Sequence, residues 1–323
     1  MNEVQRLPAM AGRFEISGDA VLFRPRFPFL TDCGYALMAG KEIAFIDPMP
    51  PKAGTAQVLG IYPTAPELPQ NNLKIYVEFS RPMSEGWAWR AVRILDNDGT
   101  ALEGVVLSTP ELWDREHRRL TILFEPGRIK RGLTPNREAG PPLIEARPVV
   151  IVVDSSFADA RGRPLRSGSR RPYRIGPAIR TIVDPALWRH KSPAAGSQDA
   201  LTVRFDRPLD RGLLGHCLRV VDADCDTLAG RPSIGRGERS WRFVPAIPWT
   251  TGCYAIEIDH RLEDLAGNSL VRVFDRDLTQ EKDAPKVTAP DRIYFWVLPR
   301  QHPATGRPRL IHFDRAPIER VPS

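Results

Sequence analysis

The sequence predicts an all-β chain of two tandem β-sandwich domains, with strand-rich extensions at both ends. Three observations carry this prediction: an ungapped internal repeat at an offset of 126 residues, short apolar/polar alternations that stop at Pro or Asp-Gly turns, and almost no helical periodicity. Short strands punctuated by turn signals every 8–12 residues, roughly, are typical of a sandwich rather than of a helical or α/β fold.

The internal repeat is visible around two alternating runs, residues 73–79 and 200–205, each followed by a Pro. The next strand of each copy, residues 91–95 and 217–221, runs into an acidic turn, which is a hairpin signal. The aromatic residue that closes each first run is the clearest core candidate. The pairs aligned at this offset include Phe79 with Phe205, Arg81 with Arg207, Pro82 with Pro208, Gly86 with Gly212, Arg93 with Arg219 and Asp96 with Asp222.

Both copies also end alike, in the pattern Asp-x-x-Gly-x-x-Leu that starts at Asp159 and at Asp264. In such a turn the Asp side chain accepts backbone N–H groups, and the Gly adopts a positive φ that other residues resist. The order Phe-Ser-Arg-Pro-Met, Phe-x-Pro and Asp-x-x-Gly-x-x-Leu resembles the bacterial Ig-like domain family over residues 56–178 and 180–278. The resemblance implies tandem Ig-like sandwiches, as found in secreted and cell-surface bacterial proteins.

These patterns predict four segments: a hairpin-like N-terminal partial repeat (1–55), Ig-like domain 1 (56–179), Ig-like domain 2 (180–280) and a C-terminal extension (281–323). Residues 21–33 match residues 241–253 at an offset of 220, so the N-terminus carries the second half of a repeat. The C-terminal region has two strand-like runs, 293–298 and 309–313. Either the two chain ends pair to complete a third sheet, or each end packs on its neighbouring domain.

Domain 1 carries two insertions relative to domain 2, around residues 108–119 and 127–147. Insertions in a sandwich lie in loops, where binding surfaces arise. We therefore assign a candidate glycan-binding surface to Trp89, Trp113, Arg128, Lys130 and Arg131, with aromatic rings for stacking and cations for an anionic glycan. Trp87 aligns with Leu213 and is expected in the core. The other tryptophans, Trp188, Trp241, Trp249 and Trp296, are at strand-like or Pro-flanked positions and are expected to be structural.

The residues Asp222, Asp224 and Asp226 have the alternate spacing of carboxylates in a calcium loop, although Gly is absent at the sixth position and Glu at the twelfth. They are a candidate metal site, with a solvated turn as the alternative. The four cysteines form no CxxC motif and allow either disulfides or buried thiols.

No motif for nucleophilic catalysis, paired His ligands or phosphate binding occurs in the sequence, so we expect a non-enzymatic protein without a cofactor. The net charge of +7 comes mostly from dispersed Arg, and no apolar run could span a bilayer. The predicted function is therefore that of an extracytoplasmic interaction or structural protein of the bacterial envelope. We expect a monomer whose partner is a protein or an anionic glycan, and no binding to nucleic acid. No leader is visible. The alternatives are a glycan-binding accessory protein and an enzyme with an interdomain site.

Overall fold

Two β-sandwiches follow each other along the chain in the computed structural model, which describes residues 9–27, 29, 34–39, 42–46, 56–107, 110–276 and 291–300. Ahead of them lie two antiparallel hairpins, and among the residues that the structure describes the strands of each hairpin pair with each other. These hairpins are β1 (Gly12–Ser17) with β2 (Ala20–Pro25), and β3 (Tyr35–Ala39) with β4 (Glu42–Ile46).

Domain 1 is built from two four-stranded sheets around one core. Its elements are β5 (Val58–Tyr62), β6 (Glu67–Pro69), β7 (Lys74–Phe79), α1 (Ala88–Ala91), β8 (Val92–Leu95), β9 (Leu112–Trp113), β10 (Arg119–Leu123), α2 (Pro126–Ile129), α3 (Thr134–Ala139), β11 (Val149–Val153) and β12 (Ser169–Gly176). The strand orders are β5-β7-β10-β9 and β6-β12-β11-β8. Leu120 and Ile122 of β10 point inward with Ile151 of β11, so the inner faces of both sheets share a single hydrophobic core.

Domain 2 repeats this plan with fewer residues. Its elements are β13 (Arg189–Lys191), β14 (Leu201–Arg204), α4 (Arg211–Leu214), β15 (Leu218–Val221), β16 (Gly230–Ile234), β17 (Ser240–Pro245), β18 (Gly252–Ile258) and β19 (Arg292–Val297). The strand orders are β13-β14-β17-β16 and β15-β18-β19. Four strands facing three is the arrangement of an immunoglobulin-like sandwich. The predicted all-β fold class with tandem sandwiches is confirmed.

The repeat-defined core and turns form as expected. Phe79 and Phe205 are both buried, each in the core of its own domain. Asp159 Oδ1 accepts the backbone N–H groups two and four residues on, at 2.9 and 3.0 Å, and Asp264 Oδ1 does the same at 2.9 and 3.0 Å. Gly162 has a φ of 73° and Gly267 a φ of 76°, so the glycines of these turns are left-handed as predicted.

The structure differs from the sequence prediction at the end of domain 2. Strand β19, which sequence analysis placed in the C-terminal extension, pairs with β18 over its whole length and completes the three-stranded sheet. Phe295 and Val297 of β19 are buried in the domain 2 core, and this apolar burial draws the strand into the domain. The second predicted C-terminal run, 309–313, lies outside the described residues.

The insertion at residues 127–147 is more ordered than a loop, because it contains α2 and α3. Both helices have Pro in their first turn, where the missing N–H costs no hydrogen bond and the fixed φ suits a helix. The described cysteines, Cys217, Cys225 and Cys253, carry free thiols, and Cys33 lies outside the described residues. Within the described ranges, no helix is long and apolar enough to cross a bilayer.

Candidate functional site at the interdomain interface

The two tryptophans of the predicted glycan surface have different environments. Trp89 is 57% exposed, and the guanidinium of Arg90 lies 4.5 Å from the centroid of its ring. Trp113 packs against Phe79, with ring centroids 5.9 Å apart, and its Nε1 donates to Glu111 at 2.9 Å. Only Trp89 of this pair therefore offers an open aromatic face.

The three basic residues of that predicted surface have partners within the protein. Arg128 donates to four backbone carbonyls, those of Gly104, Ala139, Gly140 and Pro141, at 2.8–3.1 Å. Lys130 lies over the ring of Phe274 at 4.5 Å, and Arg131 pairs with Asp275 at 3.3 Å. Four of the five predicted residues thus hold the insertion in place, and the glycan-binding role itself stays a prediction.

The three carboxylates of the candidate calcium loop do not converge. Asp222 Oδ1 accepts the backbone N–H groups of Asp224 and Asp226 at 3.0 and 2.9 Å, so this side chain is used to close the turn. Throughout the part of the chain that the structure describes, no group of three or more His, Cys, Asp or Glu side chains could hold a metal ion. The solvated-turn alternative describes the geometry of these residues.

One structural expectation is wrong. Trp188, Trp241 and Trp249 are buried, as expected for structural tryptophans, whereas Trp296 is 63% exposed. It lies on β19 two residues after Tyr294, which is 64% exposed, and alternation along a strand places both rings on the same outer face. Sequence reasoning missed this strip because neighbouring Phe295 and Val297 made the whole run look apolar.

The contact between the domains is a second feature that sequence reasoning missed, and it is centred on Asp210. This buried residue caps α4 by accepting the N–H of Leu213 at 3.0 Å. The hydroxyl of Tyr76, on β7 of domain 1, lies 2.8 Å from each of its carboxylate oxygens. Lys74, two residues before Tyr76 on the same face of β7, places Nζ 3.1 Å from Asp210 and 2.8 Å from Glu263.

The carboxylates of this cluster favour the protonated forms of Lys74 and Tyr76. Burial alone would lower the pKa of Lys74, but the carboxylates of Asp210 and Glu263 outweigh it and raise that pKa above its usual value. Burial, reinforced by the charge of Asp210, raises the pKa of the Tyr76 hydroxyl. The hydroxyl therefore stays protonated and donates a hydrogen bond to Asp210. The cluster brings one cation from domain 1 to two anions of domain 2.

Glu238 makes a second polar contact across the interface. It is fully buried, and its carboxylate accepts the N–H of Thr64 at 2.6 Å, the Thr64 hydroxyl at 2.9 Å and the N–H of Ala65 at 3.3 Å. Gly237 donates its own N–H to Thr64 Oγ1 at 2.7 Å. Burial raises the pKa of Glu238, and the hydrogen bonds from Thr64 oppose this rise.

Aromatic and cationic packing adds to the contact between the domains. Arg211 lies 3.7 Å from the ring centroid of Tyr62 and pairs with Glu78 at 3.2 Å. The next residue, Gly212, packs so closely on domain 1 that an added Cβ would lie 2.8 Å from the Tyr76 hydroxyl. A larger residue at this position would push the two domains apart.

A cleft of about 600 Å³ opens beside Glu238, between the two domains. We call it the arginine cleft, because Arg170 and Arg171 of β12 and Arg236 of domain 2 all line it. Its remaining lining comes from Thr64, Pro66, Pro172 and Gly237. In the sequence, the adjacent residues Arg170 and Arg171 are the visible part of this cleft, whereas Arg236 joins them only through the packing of the domains.

Comparisons with known proteins give structural likenesses alone. No family model matches the chain, and no curated protein matches it. Native alpha-2-macroglobulin from Escherichia coli, over domains MG0-NIE-MG1, is 9% identical with a TM-score of 0.26, covering 76% of this chain and 72% of that chain. Domains 1–6 of the surface layer protein SbsC are 12% identical with a TM-score of 0.27, covering 64% and 24%.

The Ig1-2 module of the Drosophila receptor protein tyrosine phosphatase DLAR is 9% identical with a TM-score of 0.23, covering 65% of this chain and 94% of that chain. Superposition is poor in all three cases. The fold assignment therefore rests on the sheets and cores of this chain itself.

Proposed function

We propose that this chain is a non-catalytic interaction and structural module of the bacterial envelope, located outside the cytoplasm, in which two Ig-like domains form one rigid body. The observation that carries the proposal is the buried polar contact between the domains. Isolated sandwiches on a flexible linker need no such contact, whereas a rigid spacer or docking platform does.

The chemistry of the buried groups supports a structural role for them. Asp210 caps a helix, Glu238 accepts the backbone of Thr64 and Ala65, and Asp264 closes a turn. Each of these carboxylates is thus occupied by donors within the protein. Catalytic carboxylates, by contrast, face a space that a substrate can enter.

Small-angle X-ray scattering of the full chain tests the rigidity. We expect one fixed arrangement of the two domains to fit the wild-type curve, and a larger radius of gyration for the variant Asp210→Ala/Glu238→Ala. Asp222→Ala is the matched control, because it removes a carboxylate from an exposed turn of domain 2. A wild-type curve that needs many domain arrangements would overturn the proposal. Fractionation of the source bacterium tests the compartment separately, and recovery in the cytoplasm would refute an extracytoplasmic location.

A second candidate function, glycan binding, is favoured by the exposed strip of Tyr294 and Trp296. Two aromatic rings on one face of a strand form a flat apolar surface with polar edges, which suits stacking against a sugar ring. Retention of the full chain on immobilised acidic polysaccharide tests this function. Loss of retention with Trp296→Ala but not with Trp89→Ala would assign it to β19, the reverse would assign it to the domain 1 surface, and unchanged retention in both would eliminate glycan stacking.

A further inference from the structure

The arginine cleft gathers three cations that are distant in sequence. Arg170 and Arg171 lie on β12 of domain 1, and Arg236 lies on the short turn between β16 and β17 of domain 2. The cleft exists only because the interface holds these two elements side by side. Its position next to the contact of Thr64 with Gly237 and Glu238 fixes its walls.

The charge of the cleft is not neutralised within the described residues. Arg170 and Arg236 make no side-chain hydrogen bond or ion pair there, whereas other interface arginines, such as Arg211, do pair with carboxylates. Glu238 adjoins Gly237 in the chain but directs its carboxylate at Thr64 and Ala65. Arg170 and Arg236 are both exposed, so water solvates their charges in the free protein, and an anion that enters the cleft meets two cations without a partner.

Of the three arginines that line the cleft, Arg171 has a side chain that contacts within domain 1 hold in place. Its Nη2 donates to the carbonyl of Thr64 at 2.6 Å, and its guanidinium lies 5.4 Å from the ring centroid of Tyr173. Its Nε is buried without a hydrogen-bond partner. A side chain anchored in this way loses little conformational freedom when a ligand binds, since its orientation is already set.

We infer that the arginine cleft is a binding site for an oxyanion, that is, a carboxylate, sulfate or phosphate group. Guanidinium groups match the geometry of these anions and bind them through paired hydrogen bonds. The cleft is open to solvent and about 600 Å³ in volume, so it admits an anionic group that is part of a larger chain as well as a free ion. The site goes beyond the proposed function, because a rigid spacer would need no anion.

Isothermal titration of the full chain at low ionic strength tests the site, because salt screens exposed charges. The probes are inorganic sulfate, inorganic phosphate and an oligogalacturonate, with a neutral dextran as the blank. The variant Arg170→Gln/Arg236→Gln removes two cleft cations. The matched control Arg189→Gln/Arg242→Gln removes two exposed arginines from domain 2 outside the cleft. Equal unfolding midpoints of the two variants establish that both fold.

We expect one anion site per chain, with an affinity about tenfold lower in the cleft variant, which corresponds to ~1.4 kcal/mol, and unchanged in the control. Binding of the inorganic ions identifies a free oxyanion as sufficient, and binding of the oligogalacturonate alone identifies a glycan-borne carboxylate. No binding of any probe would overturn the inference. Equal weakening in both variants would also overturn it, because the attraction would then come from the overall positive charge. Neither result bears on the rigidity measured by scattering.

Discussion

Replacing Tyr76 by Phe removes one atom from the interdomain interface. The lost hydroxyl donates to Asp210 across the domain boundary, at 2.8 Å from both carboxylate oxygens. Asp210 keeps the N–H of Leu213 and the ammonium of Lys74, so its charge remains partly compensated. The substitution therefore measures a single hydrogen bond to a buried, charged acceptor.

The expected cost of Tyr76→Phe is about 1.5–3 kcal/mol, the net value of a hydrogen bond to a charged group. Asp210→Ala costs more, about 3–5 kcal/mol, because it also uncaps α4 and leaves Lys74 with Glu263 as its remaining partner. The double variant should cost less than the sum of the two. The shortfall, about 1.5–2 kcal/mol, is the coupling energy of the Tyr76–Asp210 pair.

Urea unfolding followed by tryptophan fluorescence measures these values, because buried tryptophans report on domain 2 and Trp113 on domain 1. We expect the wild-type domains to unfold together and the Tyr76→Phe domains to separate into two transitions. Tyr173→Phe is the matched control: its buried hydroxyl donates to the carbonyl of Pro63 within domain 1. A coupling energy near zero, or the same separation in Tyr173→Phe, would refute the interdomain reasoning.

Three further predictions concern the cores, one turn and the insertion. Phe79→Ala and Phe205→Ala should each cost about 3–5 kcal/mol of unfolding free energy, and a cost below about 1 kcal/mol would contradict their assigned register. Burial raises the pKa of Asp264 from 3.8 to about 6, so the native state holds the proton more tightly than the unfolded chain. The stability of wild type relative to Asp264→Asn should therefore fall by up to about 3 kcal/mol as pH rises from about 4 to about 6 and be constant above that window; equal slopes for both proteins would refute this. Arg128→Ala should expose residues 127–147 to limited proteolysis, because four backbone carbonyls lose their donor, and an unchanged cleavage pattern would show that the clamp is dispensable.

Local sequence patterns predicted the features of the fold that depend on residues close together in the chain. The alternation that ends at Phe79 and Phe205 identified the core faces, and the turns at Asp159 and Asp264 formed as predicted. These features follow from side-chain alternation and turn chemistry, which act over a few residues. The end of domain 2 could not be placed in this way, because β19 joins its sheet by a pairing whose partner strand lies more than thirty residues upstream.

The candidate site was less accessible to sequence reasoning, because its residues meet only through the packing of one domain on the other. Asp210 aligns with Ser84, and nothing in the repeat distinguishes an interface carboxylate from an exposed one. Arg128 looked like part of a cationic surface, yet its four carbonyl acceptors make it a structural clamp. Trp296 looked structural, yet the strand alternation turns it to solvent. The contacts that place Asp210 at the interface are long-range, because they join it to β7 of the other domain.

The aligned glycines Gly86 and Gly212 lie at equivalent contacts between successive units of the chain. A Cβ on Gly212 would lie 2.8 Å from the hydroxyl of Tyr76 in domain 1, and a Cβ on Gly86 would lie 2.7 Å from the ring of Phe27 in the N-terminal segment. Each domain thus receives an aromatic side chain from the unit before it, at the same position of its own repeat. Contacts of this kind join unlike faces, so the face by which a unit binds the one before it differs from the face that it offers to the one after it. In both places the glycine lies where one unit packs head-to-tail on the next. Its recurrence shows that this chain repeats the junction between units as well as the domain.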